Sequence, residues 1–477
     1  MFGISRFWKN LRYCLHSQRI EFKFKINSMN QKDQLKRQIS LTTATAIVVA
    51  NMIGSGIFIT TGIIANKLPG PGWVLVCWIF GGLIAISGAL CYAELSTRMP
   101  DVGGEYIYLK KLYNPIFGFL TGWTSLIVGF SAPIASSALG FAEYIFAGFN
   151  LKLIPNGFFS LIFLKKTAAV FIILIFTAIH YVGVRLGSKV QNLLTALKII
   201  IVIGLAGIGF VFGSGQGLTL SFYSNGSFNG LTFGTAMMLV MFSYSGWNAS
   251  AYIAGELKNP KKNLPLSLLG GTIIVIVLYL AINIFILQAL PYSELQGTIA
   301  VVEAASVKTF GIWMGKVLSL LVAVALLSSL SAFVIIGPRV YFAMARDKLF
   351  FKFAAKIHPR YEVPGSSIIM QGVIATIMVL ISSIEPLLLY IIFALNIFPW
   401  LAIFGIFIAR KKGIGEETAF KVWGYPFIPI FFLTASLTLM VIMYLNRPIE
   451  STAAVLTVIF GIPCYFLWIG GIKLLRE

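Results

Sequence analysis

Asn51-Met52-Ile53-Gly54-Ser55-Gly56-Ile57-Phe58 sets two glycines and a serine in the middle of an apolar run, residues 41–66, long enough to cross a bilayer. Gly54 and Gly56 lack a Cβ, tolerate non-helical backbone angles, and each weaken a helix by about 1 kcal/mol relative to alanine. In lipid, an unwound backbone is tolerated only where its amide and carbonyl groups meet protein, water or a ligand. One reading is therefore a transmembrane helix broken at these glycines. The N-terminus of its second half would present bare N–H groups and a positive dipole end to an anion such as a carboxylate. The carbonyls of Met52 and Ile53, freed at the end of the first half, would accept from an ammonium, so a zwitterion matches both ends. The other reading is a packing seam of small residues, of the GxxxG kind.

The rest of the chain says what kind of protein holds this stretch. Of 477 residues, 58% are hydrophobic and 11% charged, with a mean hydropathy of +0.88, outside the range of soluble domains. The class is an all-α polytopic membrane protein. Apolar runs at 41–66, 72–97, 115–148, 164–184, 190–213, 230–256, 264–290, 306–346, 363–383, 385–409, 423–444 and 451–473 each supply the roughly 20 residues that a crossing needs. Twelve crossings bring both termini to one side. The third and eighth runs are overlong and are expected to tilt or to continue into the cytoplasm.

The net charge of +21 raises nucleic acid as a partner, but its distribution gives a different account. Assigning both termini and the even-numbered loops to one side places 29 of the 37 Lys and Arg there. That asymmetry follows the positive-inside rule, so both termini are expected in the cytoplasm, and no nucleic-acid partner is needed. Four cysteines, three of them in apolar runs, give no disulfide framework, and His16, His180 and His358 are scattered, so no metal or other cofactor is expected. Residues 1–40 form a basic tail rich in aromatics without the pattern of a secretory signal. It is either an interfacial anchor or, for residues 1–28, a segment preceding a true start at Met29. After the second run, Pro100 to Tyr108 reads as a turn feeding a short amphipathic interfacial helix. Glu105 there is either a latch on an inner gate or, as preferred, a solvated residue.

A second anomaly lies in the sixth run, where Phe242-Ser243-Tyr244-Ser245-Gly246-Trp247-Asn248 again puts small and polar residues inside an apolar segment. The interruptions fall in runs one and six, corresponding positions of two five-helix halves, 41–213 and 230–409, with helices 11 and 12 (423–473) peripheral. Paired interrupted helices in corresponding positions point to a substrate site between inverted repeats. This pairing favours the broken-helix reading over the packing seam.

Gly54-Ser55-Gly56-Ile57-Phe58, Gly88-Ala89-Leu90-Cys91-Tyr92-Ala93-Glu94-Leu95, Gly103-Gly104-Glu105-Tyr106 and Phe242 through Trp247 followed by Glu256-Leu257-Lys258-Asn259-Pro260 resemble the amino acid-polyamine-organocation (APC) superfamily. Within it, the chain looks most like the bacterial relatives of the L-type amino-acid transporters. The resemblance covers roughly residues 35–475 and implies a LeuT-like fold of five plus five inverted helices with two extra ones, working by alternating access. Carried over by position, Gly54, Ser55 and Gly56 match the carboxylate-binding turn. Met52, Ile53, Phe242, Ser243 and Ser245 match the carbonyls that receive the substrate ammonium, and Phe242 matches the aromatic that closes over the substrate. Trp247 matches a family tryptophan and reads as packing. The loop around 149–163 lacks the cysteine by which animal members bond a heavy subunit, so no disulfide-linked partner is expected.

Lys198 would lie ~13 Å into the fifth span if that helix starts near Lys189, a depth at which a lysine should face protein or water. It matches the family's fifth-helix lysine, whose ammonium stands where sodium-coupled relatives hold a cation. The expectation is that it bonds freed carbonyls near Gly54 and the hydroxyl of Ser328 or Ser329; the alternative is a side chain reaching for the cytoplasmic face. A lysine that titrates reversibly would make a proton symporter, a permanently charged one a sodium-independent exchanger or uniporter. Neither interrupted helix offers an acid inside the membrane, which favours neutral amino acids as substrates. Glu143 reads as an interfacial residue and Glu94 as a surface partner of Arg98. The leading expectation is thus a plasma-membrane carrier of neutral L-amino acids. A carrier of cationic amino acids or polyamines with the same fold is the first alternative, and a sensing receptor that does not transport is the second. No catalytic set of nucleophile, base and orienting group emerges, so an enzyme is not expected.

Overall fold

The computed structural model describes residues 35–149, 161–212, 221–223, 227–298, 301–381, 384–418 and 420–474. Most of the basic tail, most of the 149–163 loop and the side chain of Ser55 lie outside the described residues. Arg37–Glu477 gather into one compact unit. Its regular elements, among the described residues, are helical, and extended pairing is limited to one bridge between Ile39 and Leu257.

Ser40 starts the first helix by accepting from Thr43 N at 3.2 Å, and α1 (Leu41–Met52) is followed after two residues by α2 (Ser55–Ala65). Proline at the first helical position, where no N–H is missed, opens α3 (Pro71–Arg98). The short α4 (Glu105–Leu112) leads to α5 (Pro115–Thr124), a π-helical turn (Ser125–Ser131) and α6 (Ala132–Gly148). α7 (Leu161–Tyr181) and α8 (Val184–Phe212) follow. Asn229 caps α9 (Gly230–Tyr244), which gives way to a 3₁₀ stretch, Ala249–Glu256. Then come α10 (Pro260–Ala289), α11 (Tyr292–Leu295), α12 (Val301–Phe310), α13 (Ile312–Arg346), α14 (Gly365–Ile381), α15 (Ile384–Lys411), α16 (Phe427–Asn446) and α17 (Pro448–Leu474).

Among the described residues, ten helical segments are long and apolar enough to cross a membrane, with α1 and α2 together counted as one, and the protein is an integral multi-pass membrane protein. Exposed apolar side chains such as Phe171, Ile200, Val277 and Phe460 cover their outer faces, the surface that hydrocarbon requires. Two groups of helices pack mainly among themselves: α6, α7, α13 and α14 in one, and α1 through α3 with α9 and α10 in the other. α8 touches α1, α10 and α13, joining the two groups.

The eighth run is overlong as expected, since α13 alone has 35 residues, with Gly311, at φ of 84°, dividing it from α12. Two expectations need correction. Glu105 is not solvated: it is buried, as are Tyr106, Tyr108 and Leu109 of the same helix, α4. Glu94 is not a surface residue. It is fully buried, and beside Arg98 it takes Arg410 at 2.7 Å and the Val422 N–H at 2.9 Å, pinning α3 to α15 and the segment before α16. Glu143 pairs with Lys165 at an exposed position, as an interfacial residue would.

Candidate substrate site

The two interruptions meet. After Met52 the backbone leaves helical angles at Ile53 (φ −76°, ψ 88°), is extended at Gly54 (φ −118°, ψ −154°), and resumes at Ser55 with no side-chain cap. The first N–H groups of α2 therefore lack intrahelical partners, and Gly54 has no side chain to cap them. α9 ends at Tyr244, Ser245 turns outward (ψ 149°), and Gly246 takes φ of +99°. A Cβ on Gly246 would stand 2.8 Å from Asn51 Cβ, and one on Gly56 2.6 Å from Ser243 Oγ, so the breaks cross at distances only glycine permits.

Three side chains fix the crossing. Lys198, fully buried on α8, donates to the carbonyls of Ile53 (2.6 Å) and Ala50 (3.3 Å) and to Ser329 Oγ (2.8 Å) on α13, and does not reach for the membrane surface. Lys198 Nζ thus faces three acceptors at the C-terminal end of α1. Ser329 donates in turn to the Ile53 carbonyl at 2.6 Å. Ser328, the neighbouring candidate, turns away: its hydroxyl lies 3.1 Å from Thr195 Oγ1 and its carbonyl accepts from Gln191. The third tie is Tyr279 on α10. Its hydroxyl lies 2.5 Å from the Met52 carbonyl and 2.7 Å from that of Ser243, bridging the two breaks.

A cavity opens beside the crossing, lined by Met52, Gly54, Gly56, Phe242, Ser243 and Ser245, together with Asn51, Gly246, Trp247, Asn248, Ser136, Ser137, Phe333 and Asn396. Six of the eight residues named from sequence thus share one cavity wall. Ile53 does not line it, because its carbonyl faces Lys198. The Phe242 carbonyl already accepts from Ser245 N (3.0 Å) and Ser245 Oγ (2.7 Å), and Phe242 itself is half-buried against the cavity. Trp247 is buried between Tyr92 and Phe432.

Sequence reasoning missed one lining residue of consequence. Glu105, expected in solvent, is 4% exposed and lines this cavity. Tyr92 and Asn248 each donate to its Oε1 at 2.7 Å, and Tyr252 adds a third hydrogen bond. Burial pushes its carboxyl up to about 7 against the pull of those three donors. Glu256, at the end of the 3₁₀ stretch, is held by Arg339 at 2.8 and 3.2 Å. Among the described residues, no group of His, Cys, Asp and Glu gathers as a metal site.

Crossed, interrupted helices beside a cavity, inside a bundle of apolar helices, are the arrangement that a membrane carrier for a small solute needs. The family model described as "Amino acid permease" matches residues 39–467, and the chain belongs to that family. It is similar to the serine/threonine exchanger SteT of Bacillus subtilis, 33% identical over 91% of this chain and 97% of that one. It is also similar to the human b(0,+)-type amino acid transporter 1 (32% identical, 91% and 88% covered) and the human large neutral amino acids transporter small subunit 2 (28%, 91% and 80%). The protein is an amino-acid transporter and not an enzyme.

Proposed function

We propose that the protein exchanges neutral L-amino acids across the plasma membrane by alternating access, without sodium. The observation that carries this reading is the crossing of the breaks at 53–54 and 245–246 beside the cavity. The substrate carboxylate rests on the N–H groups of Gly54, Ser55 and Gly56. Its ammonium faces the carbonyls of Met52 and Ser243 near the Ser245 hydroxyl, with Phe242 as the gate. Ile53 and Phe242 leave the set of carbonyl acceptors, since Lys198 and Ser329 already engage the one, and Ser245 N and Ser245 Oγ the other. Lys198 and Ser329 couple the broken helix to α13, and Ser328 acts only through Thr195.

Three acceptors around Lys198 Nζ suit a permanent ammonium, whereas a neutral amine has only two N–H donors; this supports exchange over proton symport. The architecture consistent with this function has twelve crossings. The 230–256 segment, broken at mid-membrane like the first, and Gly365–Ile381 join the ten longer helices. Two inverted repeats, 41–213 and 230–409, are followed by peripheral helices at 423–473, with the basic tail and C-terminus in the cytoplasm. One relative's name marks it as a small subunit, but no cysteine stands in 149–163 here, and no disulfide-linked heavy subunit is proposed.

A cationic substrate is the second reading, favoured by the carboxylate of Glu105 on the cavity wall. Neutral substrates are preferred because that carboxylate already holds Tyr92, Asn248 and Tyr252. The test is uptake of labelled serine into liposomes loaded with one unlabelled amino acid at a time. Neutral amino acids inside should drive uptake and empty liposomes should not. Drive by lysine or arginine alone would replace the neutral reading with the cationic one.

A further inference from the structure

We propose that Glu105 is a proton-binding latch: its carboxylate ties the 3₁₀ half of the sixth segment to α3 and α4 and keeps the cavity closed on that side, and one bound proton releases the tie. The proposal rests on the transport reading above and adds to it a group that responds to the proton.

Glu105 opens α4 and collects donors from two directions, Tyr92 on α3 and Asn248 with Tyr252 on the sixth segment. The loop before it is seated on the same 3₁₀ stretch. Gly103 N donates to the Tyr252 carbonyl at 3.1 Å, and Gly104, at φ of +53°, lies so close that a Cβ there would meet the Tyr252 ring at 2.6 Å. Pulling Ala249–Glu256 away from α4 therefore breaks the carboxylate's bonds to Asn248 and Tyr252 together.

The titratable groups that face Glu105 are Tyr92 from α3, Tyr252 from the sixth segment and Tyr108 from its own helix. No cation balances it among the described residues. Lys110 pairs with Asp347 and Lys111 with Asp101, while Arg98 and Arg410 are held by Glu94. A carboxylate is acceptor-only, and its charge-assisted bonds are about twice as strong as neutral ones. When a hydronium in the cavity gives its proton to a Glu105 oxygen and departs as water, that oxygen becomes a donor facing other donors. The latch loses its charge and part of its acceptor capacity in one step. The group's position on the cavity wall gives the proton its route, and burial has already moved the carboxyl to about 7.

The experiment compares wild type, Glu105→Gln and Tyr92→Phe in liposomes, measuring serine exchange from about pH 5.5 to about pH 8.5. The wild-type rate should rise several-fold as pH falls through about 7. Glu105→Gln should exchange at the wild-type acid-side rate at every pH. Tyr92→Phe removes a donor that stabilises the carboxylate, so its midpoint should move upward by about half a unit or more. A wild-type rate that is flat across neutrality, a Glu105→Gln profile like that of wild type, or an unmoved Tyr92→Phe midpoint would each overturn the latch. If Glu105→Gln does not fold, the Tyr92→Phe midpoint decides. Amide hydrogen exchange of 249–256 in the purified protein separates a failed latch from a failed transport reading. Corrected for intrinsic rates, it should quicken below neutrality in wild type, whether or not serine moves; pH-independent exchange there would refute the latch.

Discussion

Replacing Lys198 with methionine keeps most of the stem and removes the ammonium. The Ala50 carbonyl then loses its bond from Nζ, the Ile53 carbonyl keeps Ser329 alone, and the end of α1 loses its cationic cap. A hydrogen bond from a charged donor is worth ~1.5–3 kcal/mol, and a buried carbonyl left unpaired costs ~1–3 kcal/mol. Allowing for relaxation, ~2–4 kcal/mol of the ordering of the Ile53–Ser55 turn is lost. If that turn forms the carboxylate site, serine affinity falls roughly 30- to 1,000-fold, at about 1.4 kcal/mol per factor of ten. The assay is binding of labelled serine to purified protein that still elutes as one monodisperse species and still melts cooperatively. A folded Lys198→Met protein that binds serine within threefold of wild type would refute the reasoning.

Gly56→Ala would drive a methyl to within 2.6 Å of Ser243 Oγ and 2.8 Å of its Cα, so exchange should be lost while expression survives, as flux and yield together would show. Tyr279→Phe removes the hydroxyl bridging Met52 and Ser243 and should lower serine affinity by about tenfold, readable by the same binding assay. Arg339→Ala leaves Glu256 buried without its partner and should cost ~3–5 kcal/mol, seen as a lowered melting temperature in detergent; Arg339→Ala with Glu256→Ala should recover part of it. Glu105, raised from 4.5 to about 7 by burial, binds its proton more tightly folded than unfolded. Its stabilising contribution is fully present below its ordinary value and lost as pH rises through about 7. Wild type should therefore lose more melting temperature than Glu105→Gln between about pH 5 and pH 8.

The breaks were legible because glycine and serine inside an apolar run are poor helix material whatever surrounds them, and the run lengths located most of the membrane helices. Lys198 was legible for the same local reason, as a charge in an otherwise apolar stretch. What escaped depends on distant partners. Glu105 has its donors thirteen residues earlier on Tyr92 and far along the chain on Asn248, so nothing near Gly103-Gly104 announces burial. Glu94 read as half of an i,i+4 pair because Arg98 is close in sequence, while Arg410 and Val422 are not. Ser328 and Ser329 are adjacent, and helix rotation alone decides that Ser329 faces Lys198. Tyr279 sits in a mostly apolar stretch of α10, and nothing local shows that its hydroxyl joins two backbone breaks.

The most direct test of the central claim is an experimental structure of the purified protein with L-serine bound. The serine carboxylate should lie within hydrogen-bond distance of the Gly54, Ser55 and Gly56 N–H groups, its ammonium should face the Met52 and Ser243 carbonyls, and Lys198 should still hold the Ile53 carbonyl. Serine bound elsewhere in the bundle, or a carboxylate held by Lys198 itself, would contradict it.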